Sequence, residues 1–186
     1  MPATNNADQS QLVIVDIQER LGEAMPTKVL NRVLANASLL VKAATLTGVP
    51  MHVTEQYPDG LGPTHAALAG LLPDTTDPIA KTAFSACGAD GFLSAIARQD
   101  QRRQIVLVGM EAHVCVLQTA LDLAAHGLEV FVVEDAICSR RLENYQNALD
   151  RLRGTDVTVT SGESVVFEWL SDASHPAFKA VQALLR

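Results

Sequence analysis

The amino-acid sequence predicts a single α/β domain built on a mainly parallel six-stranded sheet with helices on both faces. Three observations carry this expectation. Strand-length apolar runs alternate with helical patterns in the order β-α-β-loop-β-α-β-α-β-α-β-α, which favours right-handed crossovers and parallel pairing. The 186 residues suffice for one sizeable core and leave little room for a second. Apolar residues make up 48% of the chain and aromatic residues only 4%, so core building falls to Ala, Val, Leu and Ile. No repeat, low-complexity tract or linker interrupts the pattern, and residues 1–186 read as one domain.

The opening MPATNNADQSQ is polar, without a basic start or an apolar signal core, and residues 1–10 read as a flexible tail. LVIVDI, from Leu12 to Ile17, is continuous and β-branched, as expected of a strand covered on both faces. Apolar residues at helical spacing follow from about Lys28 to Thr47, with Gly48 as the stop. VPMHVTE supplies a second strand. The Gly/Pro-rich stretch from Glu55 to Pro78 is a long connection with a helical turn near Thr64 to Leu72, and connections of this length usually carry function or move. A short strand begins at Ile79 and a helix spans roughly Gly91 to Gln99. IVLVG, Ile105 to Gly109, is the most apolar strand, and a helix runs from beyond Ala112 to Gly127. LEVFVVED is a further buried strand, Arg141 to Arg153 a helix, DVTVT the last strand, and helices close the chain.

The formal net charge is −7 and no Lys/Arg run is present, which argues against nucleic acid or anionic lipid as partner. No apolar run approaches the roughly 20 residues needed to span a bilayer. Cys87, Cys115 and Cys138 are odd in number and lack CxxC spacing, so reduced thiols in a cytoplasmic setting are expected. VDIQERLG stands where a dinucleotide-binding fold would carry GxGxxG.

Sites in open α/β sheets form beyond the carboxyl ends of the strands. Asp16 ends the first strand, Gln56 and Tyr57 follow the second, Lys81 lies just past the strand entering at Ile79, and Cys115 follows IVLVG. Alone, each has an ordinary interpretation: Asp16 as a cap, Lys81 as a solvated cation, Cys115 as a small core hydrophobe. Together, an acid, an amine and a thiol at equivalent strand ends make a nucleophilic set. The helix start beside Cys115 would favour thiolate through its dipole.

With LVIVDIQERL, KTAFSA and GMEAHVCV in place, the sequence resembles the isochorismatase-like, nicotinamidase-related cysteine hydrolases over nearly its whole length. TEQYPDGLGPT and GMEAHVCVLQTALDL are most similar to the isochorismatase domain-containing protein branch. The resemblance implies a Rossmann-like three-layer α/β/α sandwich and a catalytic triad of Asp16, Lys81 and Cys115. It implies cleavage of a small amide-like C–N or ester bond through a thioester on Cys115. It also implies a non-proline cis peptide at Glu111–Ala112, which would turn the backbone N–H groups of Ala112 and Cys115 toward one oxyanion hole. Relatives are commonly homo-oligomers, so a dimer, tetramer or larger assembly acting on a small molecule is expected.

Two departures limit the resemblance. The Asp-x-His metal motif of nicotinamidases is missing from HVTEQYPDG, with His52 before the strand end and His65 in the loop, so neither metal nor cofactor is expected. Ala112 stands where relatives often carry Thr. Gln18, Gln56, Tyr57, Phe84, Glu111 and His113 are candidates for lining a substrate pocket, although each also suits ordinary loop packing. Cys87 and Cys138 read as structural. The alternative to a hydrolase is a non-catalytic binding or scaffold protein on the same fold.

Overall fold

In the computed structural model, which describes residues 4–99 and 101–185, six strands form one sheet. They are β1 (Ser10–Val15), β2 (Met51–Gln56), β3 (Ile79–Lys81), β4 (Gln104–Met110), β5 (Glu129–Cys138) and β6 (Thr158–Thr160). Their order is β3-β2-β1-β4-β5-β6, and every adjacent pair is parallel. The helices are α1 (Glu19–Glu23), α2 (Thr27–Thr47), α3 (Pro58–Leu61), α4 (Ala66–Ala69), α5 (Phe92–Ala97), α6 (Leu117–Ala125), α7 (Leu142–Arg153), α8 (Gly162–Leu170) and α9 (Phe178–Ala183). A single wide turn of π geometry, Ala112–Val116, leads from β4 into α6.

Alternation along β1 explains the layers. Leu12 and Ile14 pack with residues of α2, α8 and α9, whereas Val13 and Val15 pack with α5, α6 and α7. Both faces of the sheet are therefore covered, and β1 and β4 are buried at every position. Helix α2 buries Val33, Ala37, Leu40, Val41 and Ala44, a stripe at three- and four-residue spacing, and Gly48 closes it in the left-handed conformation. By length and composition alone α2 is apolar enough to cross a bilayer, against the expectation that no such run exists. In the fold its apolar stripe lies on the sheet.

The expected flexible tail is docked from Asn5 onward. Asn5 donates through its backbone N and its Nδ2 to Glu168 Oε2 at 2.9 and 2.6 Å, and Asn6 N donates to Gln104 Oε1 at 2.7 Å. The Arg102 guanidinium donates to the carbonyls of Ala7 and Ser10. Acceptors and donors from α8, β4 and the segment before β4 satisfy this backbone, which sequence-local reasoning does not reveal. The strand ends shift by one or two residues: β1 starts at Ser10 and stops before Asp16, and Lys81 is the last residue of β3 rather than the first beyond it, because it pairs with Gln56.

The chain leaves β1 toward β2 and β3 and returns to β4 on the other side of β1. That reversal of direction falls between β1 and β4, the place beyond whose carboxyl ends open α/β sheets form their sites. Gly109 makes the two strands meet closely there. It has φ 146° and lies in register with Val15, and a Cβ at this position would overlap the Val15 carbonyl oxygen.

Candidate active site

Asp16 is the first residue after β1 and has φ 53°, in the left-handed region that Asp tolerates better than most side chains. Its backbone N donates to Thr54 O at 3.1 Å, which anchors the turn to the end of β2. The carboxylate is fully buried and both oxygens are engaged. Oδ1 accepts from Thr54 Oγ1 at 2.7 Å, and Oδ2 accepts from Lys81 Nζ at 2.7 Å.

Lys81 reaches the same point from the end of β3, and its side chain is closed to solvent. Besides Asp16, its Nζ donates to Gln56 Oε1 at 2.6 Å, Phe84 O at 3.0 Å and Ala83 O at 3.2 Å. An ammonium has three protons, so four surrounding oxygens leave it no free donor. Such a cage offsets the desolvation of a buried cation.

Cys115 stands in the wide turn after β4, 6% exposed. The Asp16 carboxylate, Lys81 and the backbone of Glu111 all lie close enough to act on its thiol. Burial first, and then the negative charge of Asp16, push the thiol up from 9.0 to about 12, and Lys81 opposes this only in part. Burial and the neighbouring Asp16 thus oppose the thiolate stabilisation expected from the helix start. The resting centre holds a neutral thiol beside a carboxylate.

The wide turn itself is organised by Glu111, whose carbonyl accepts from Val114 N at 3.1 Å and Val116 N at 3.2 Å. Ala112, fully buried, and Cys115 occupy its first and fourth positions. The non-proline cis bond lies at Met110–Glu111, one bond before the expected Glu111–Ala112, because β4 runs on to Met110 and the turn begins directly after it.

Asp16, Lys81 and Cys115 are thus brought together, while the residues expected to line a pocket divide into two groups. Gln18 is fully buried and wholly engaged: Nε2 donates to Gln56 O at 3.0 Å and Gly62 O at 2.7 Å, and Oε1 accepts from Gln56 N at 2.8 Å. It fastens the long loop to β2 and has no polar atom left for a ligand. Gln56 spends Oε1 on Lys81, and its Nε2 donates to Thr82 O at 2.9 Å. The Glu111 carboxylate is buried against Arg140, and His113 bonds Ser139 Oγ through Nδ1 at 2.9 Å. Tyr57 and Phe84 do face solvent, 57% and 55% exposed. Tyr57 borders a cleft of about 340 Å³ that Asp59, Lys81, Thr82 and Asp90 also line. Phe84 touches Lys81 through its carbonyl.

Thr54 and Arg140 escaped the sequence reading. Thr54 was accessible in principle, since it lies in register with Val15, immediately before Asp16. Arg140 follows β5 and has no spacing relation to Glu111. The two histidines weighed as metal ligands have other partners. His52 Nε2 lies 2.8 Å from Gln11 Oε1, and His65 accepts from Ala67 N at the start of α4.

Comparison with known proteins gives a concordant picture. The isochorismatase domain family matches residues 10–164. Isochorismatase domain-containing protein 2 of Bos taurus is 37% identical over 177 residues, covering 95% of this chain and 83% of that protein. The structure of the MAR1 ribonuclease of Caenorhabditis elegans is similar with a TM-score of 0.91 at 34% identity, over 98% of this chain and 92% of the other. The YcaC gene product of Escherichia coli, described as an octameric hydrolase of unknown specificity, gives a TM-score of 0.87 at 25% identity over 100% and 95% of the two chains. A match across most of the sequence, joined to a fold shared along its whole length, means that the chain belongs to the isochorismatase domain family.

Proposed function

We propose that the protein is a cysteine hydrolase that cleaves a small amide-like C–N bond, or a related ester, through a thioester on Cys115. The observation that carries this reading is one buried carboxylate, Asp16, bonded to Lys81 Nζ and close enough to the buried Cys115 thiol for its charge to act on it. A scaffold needs no such arrangement, and placing two buried ions and a thiol together costs stability.

A thiol raised to about 12 must lose its proton as it attacks, not before. Asp16 accepts that proton while sulfur adds to the carbonyl carbon, and the N–H groups of Ala112 and Cys115 meet the oxyanion. The tetrahedral species collapses as Asp16 passes the proton to the leaving nitrogen, which departs as amine and leaves the acyl thioester. Water then gives a proton to Asp16 and adds to the thioester carbonyl. Collapse releases the acid, and the departing sulfur recovers the proton from Asp16. Lys81, with every donor engaged, holds the carboxylate in place and balances its charge instead of donating to substrate. Assembly into a homo-oligomer in the cytoplasm is part of this proposal.

RNA cleavage, the activity named for the C. elegans relative, is disfavoured by the net charge of −7, because affinity for phosphates rests on Lys and Arg. The experiment is a screen of small amides, ureas, esters and RNA with wild type, Cys115→Ala and Cys115→Ser. Hydrolysis of a carbonyl substrate by wild type, lost in both variants, is expected. Turnover unchanged in Cys115→Ala would overturn the mechanism.

A further inference from the structure

Glu111 shapes the turn around the proposed nucleophile with its backbone and meets something quite different with its side chain. Its carbonyl accepts from Val114 N at 3.1 Å and Val116 N at 3.2 Å, so its position sets the shape of the turn that holds Cys115. Its carboxylate points the other way, only 6% exposed, and neither oxygen has a well-formed hydrogen bond. Compensation comes from the segment after β5: Arg140 Nε forms an ion pair with Oε1, and His113 Nδ1, shared with Ser139 Oγ at 2.9 Å, lies 3.3 Å from Oε2. Asn144 Nδ2 lies 3.3 Å from His113 Nε2. With Asn144 as donor, Nε2 is the acceptor and Nδ1 carries the proton that faces Glu111 and Ser139.

The counter-charge of this buried carboxylate thus sits on a side chain that is itself 60% exposed. The field of Glu111 also reaches Cys138, whose thiol is pushed up to about 12, by burial first and with Glu111 among the further causes. A buried anion deprived of its partner must regain water. In Glu111 that pull acts on the residue whose carbonyl gathers Val114 and Val116 into the turn that holds Cys115.

We propose that Arg140 and Glu111 form a positioning pair: the arginine, from the loop after β5, latches the Glu111 carboxylate and thereby holds the turn that presents Cys115. Its catalytic consequence rests on the hydrolase reading above, but its geometry does not. Arg140 is a positioning residue that acts through Glu111, without contact to the reacting atoms.

The test compares Arg140→Gln, Arg140→Lys, Glu111→Gln and the double variant Arg140→Gln/Glu111→Gln in the full chain. The first readout is the rate of Cys115 carbamidomethylation by iodoacetamide, with Cys87 in the same molecule as reference. The second is amide hydrogen exchange across residues 110–116. Arg140→Gln is expected to speed Cys115 labelling by about tenfold or more, because loosening the turn relieves the burial that keeps the thiol protonated and shielded, to leave Cys87 unchanged and to speed exchange in 110–116. Arg140→Lys reverses part of the change. The double variant reverses most of it, because a neutral amide needs no counter-charge. Wild-type exchange in Arg140→Gln, an equal effect on Cys87, or no reversal in the double variant overturns the proposal, and the exchange readout decides even if Cys115 labels too slowly to follow. If the pair behaves as expected but no carbonyl substrate is turned over, the hydrolase reading fails and the positioning role stands.

Discussion

Lys81 Nζ lies 2.7 Å from Asp16 Oδ2, with both side chains wholly removed from solvent. Removing one member strands the other. Lys81→Met is expected to destabilise the fold by about 3–5 kcal/mol, and Asp16→Asn by a similar amount. The double variant Asp16→Asn/Lys81→Met loses less than the sum of the two, since neither ion is then left alone. Urea denaturation of the three variants measures the coupling, and additive losses would show that the pair does not act as a unit.

The thiols set an alkaline limit. Cys115 and Cys138 are raised to about 12 and Cys87 to about 11, each chiefly by burial, against 9.0 for an ordinary thiol. Above pH 9 the unfolded chain therefore releases protons that the folded one retains. Stability is unaffected below 9 and falls as pH rises from 9 toward 11–12, by about 1.4 kcal/mol per pH unit for each thiol still protonated in the fold. Denaturation free energies on both sides of pH 9 test this. Cys138→Ala lowers the baseline but flattens the slope.

An acid limit comes from His52. Burial first, and then the charge of Arg98, lower it from 6.5 to about 4. The unfolded chain takes up a proton at 6.5 that the fold refuses until about 4. The stabilisation is therefore complete above 6.5 and is lost as pH falls through that interval, by at most about 3 kcal/mol. His52→Gln, which keeps an amide within reach of Gln11, is expected to flatten stability between pH 6.5 and 4; an unchanged profile would sink the assignment.

Gly109 is the least replaceable residue near the centre. Gly109→Ala places a methyl group on the Val15 carbonyl, at a φ of 146° that side chains rarely adopt. A loss of about 3 kcal/mol or more is expected in thermal or chemical denaturation, together with weaker retention of Asp16 in its bonded position.

The layered fold was legible because parallel strands covered on both faces write continuous apolar runs, as LVIV and IVLV do. Asp16, Lys81 and Cys115 were legible as a set because the topology gathers strand ends, and the resemblance joined them. What stayed hidden depends on partners far along the chain. Gln18 resembles any loop amide until Gly62 and Gln56 are seen around it, and Asn5 resembles a free tail until Glu168 is seen beneath it. The thiol's raised proton affinity was hidden for the same reason: a helix start is visible in sequence, but the depth of burial that opposes it is not.

β3 is a three-residue strand at the rim of the sheet, bonded only to β2, and it supplies Lys81. So short a ladder would readily peel, and the lysine's grip on Asp16 at the centre is what rivets it down. If that rim lifts, water floods the carboxylate and the sulfur together, and the dry compartment ceases to exist. Loosening at this border and wetting of the sulfur are therefore one event, so any partner or mutation that works on β3 acts on Cys115 without ever touching it.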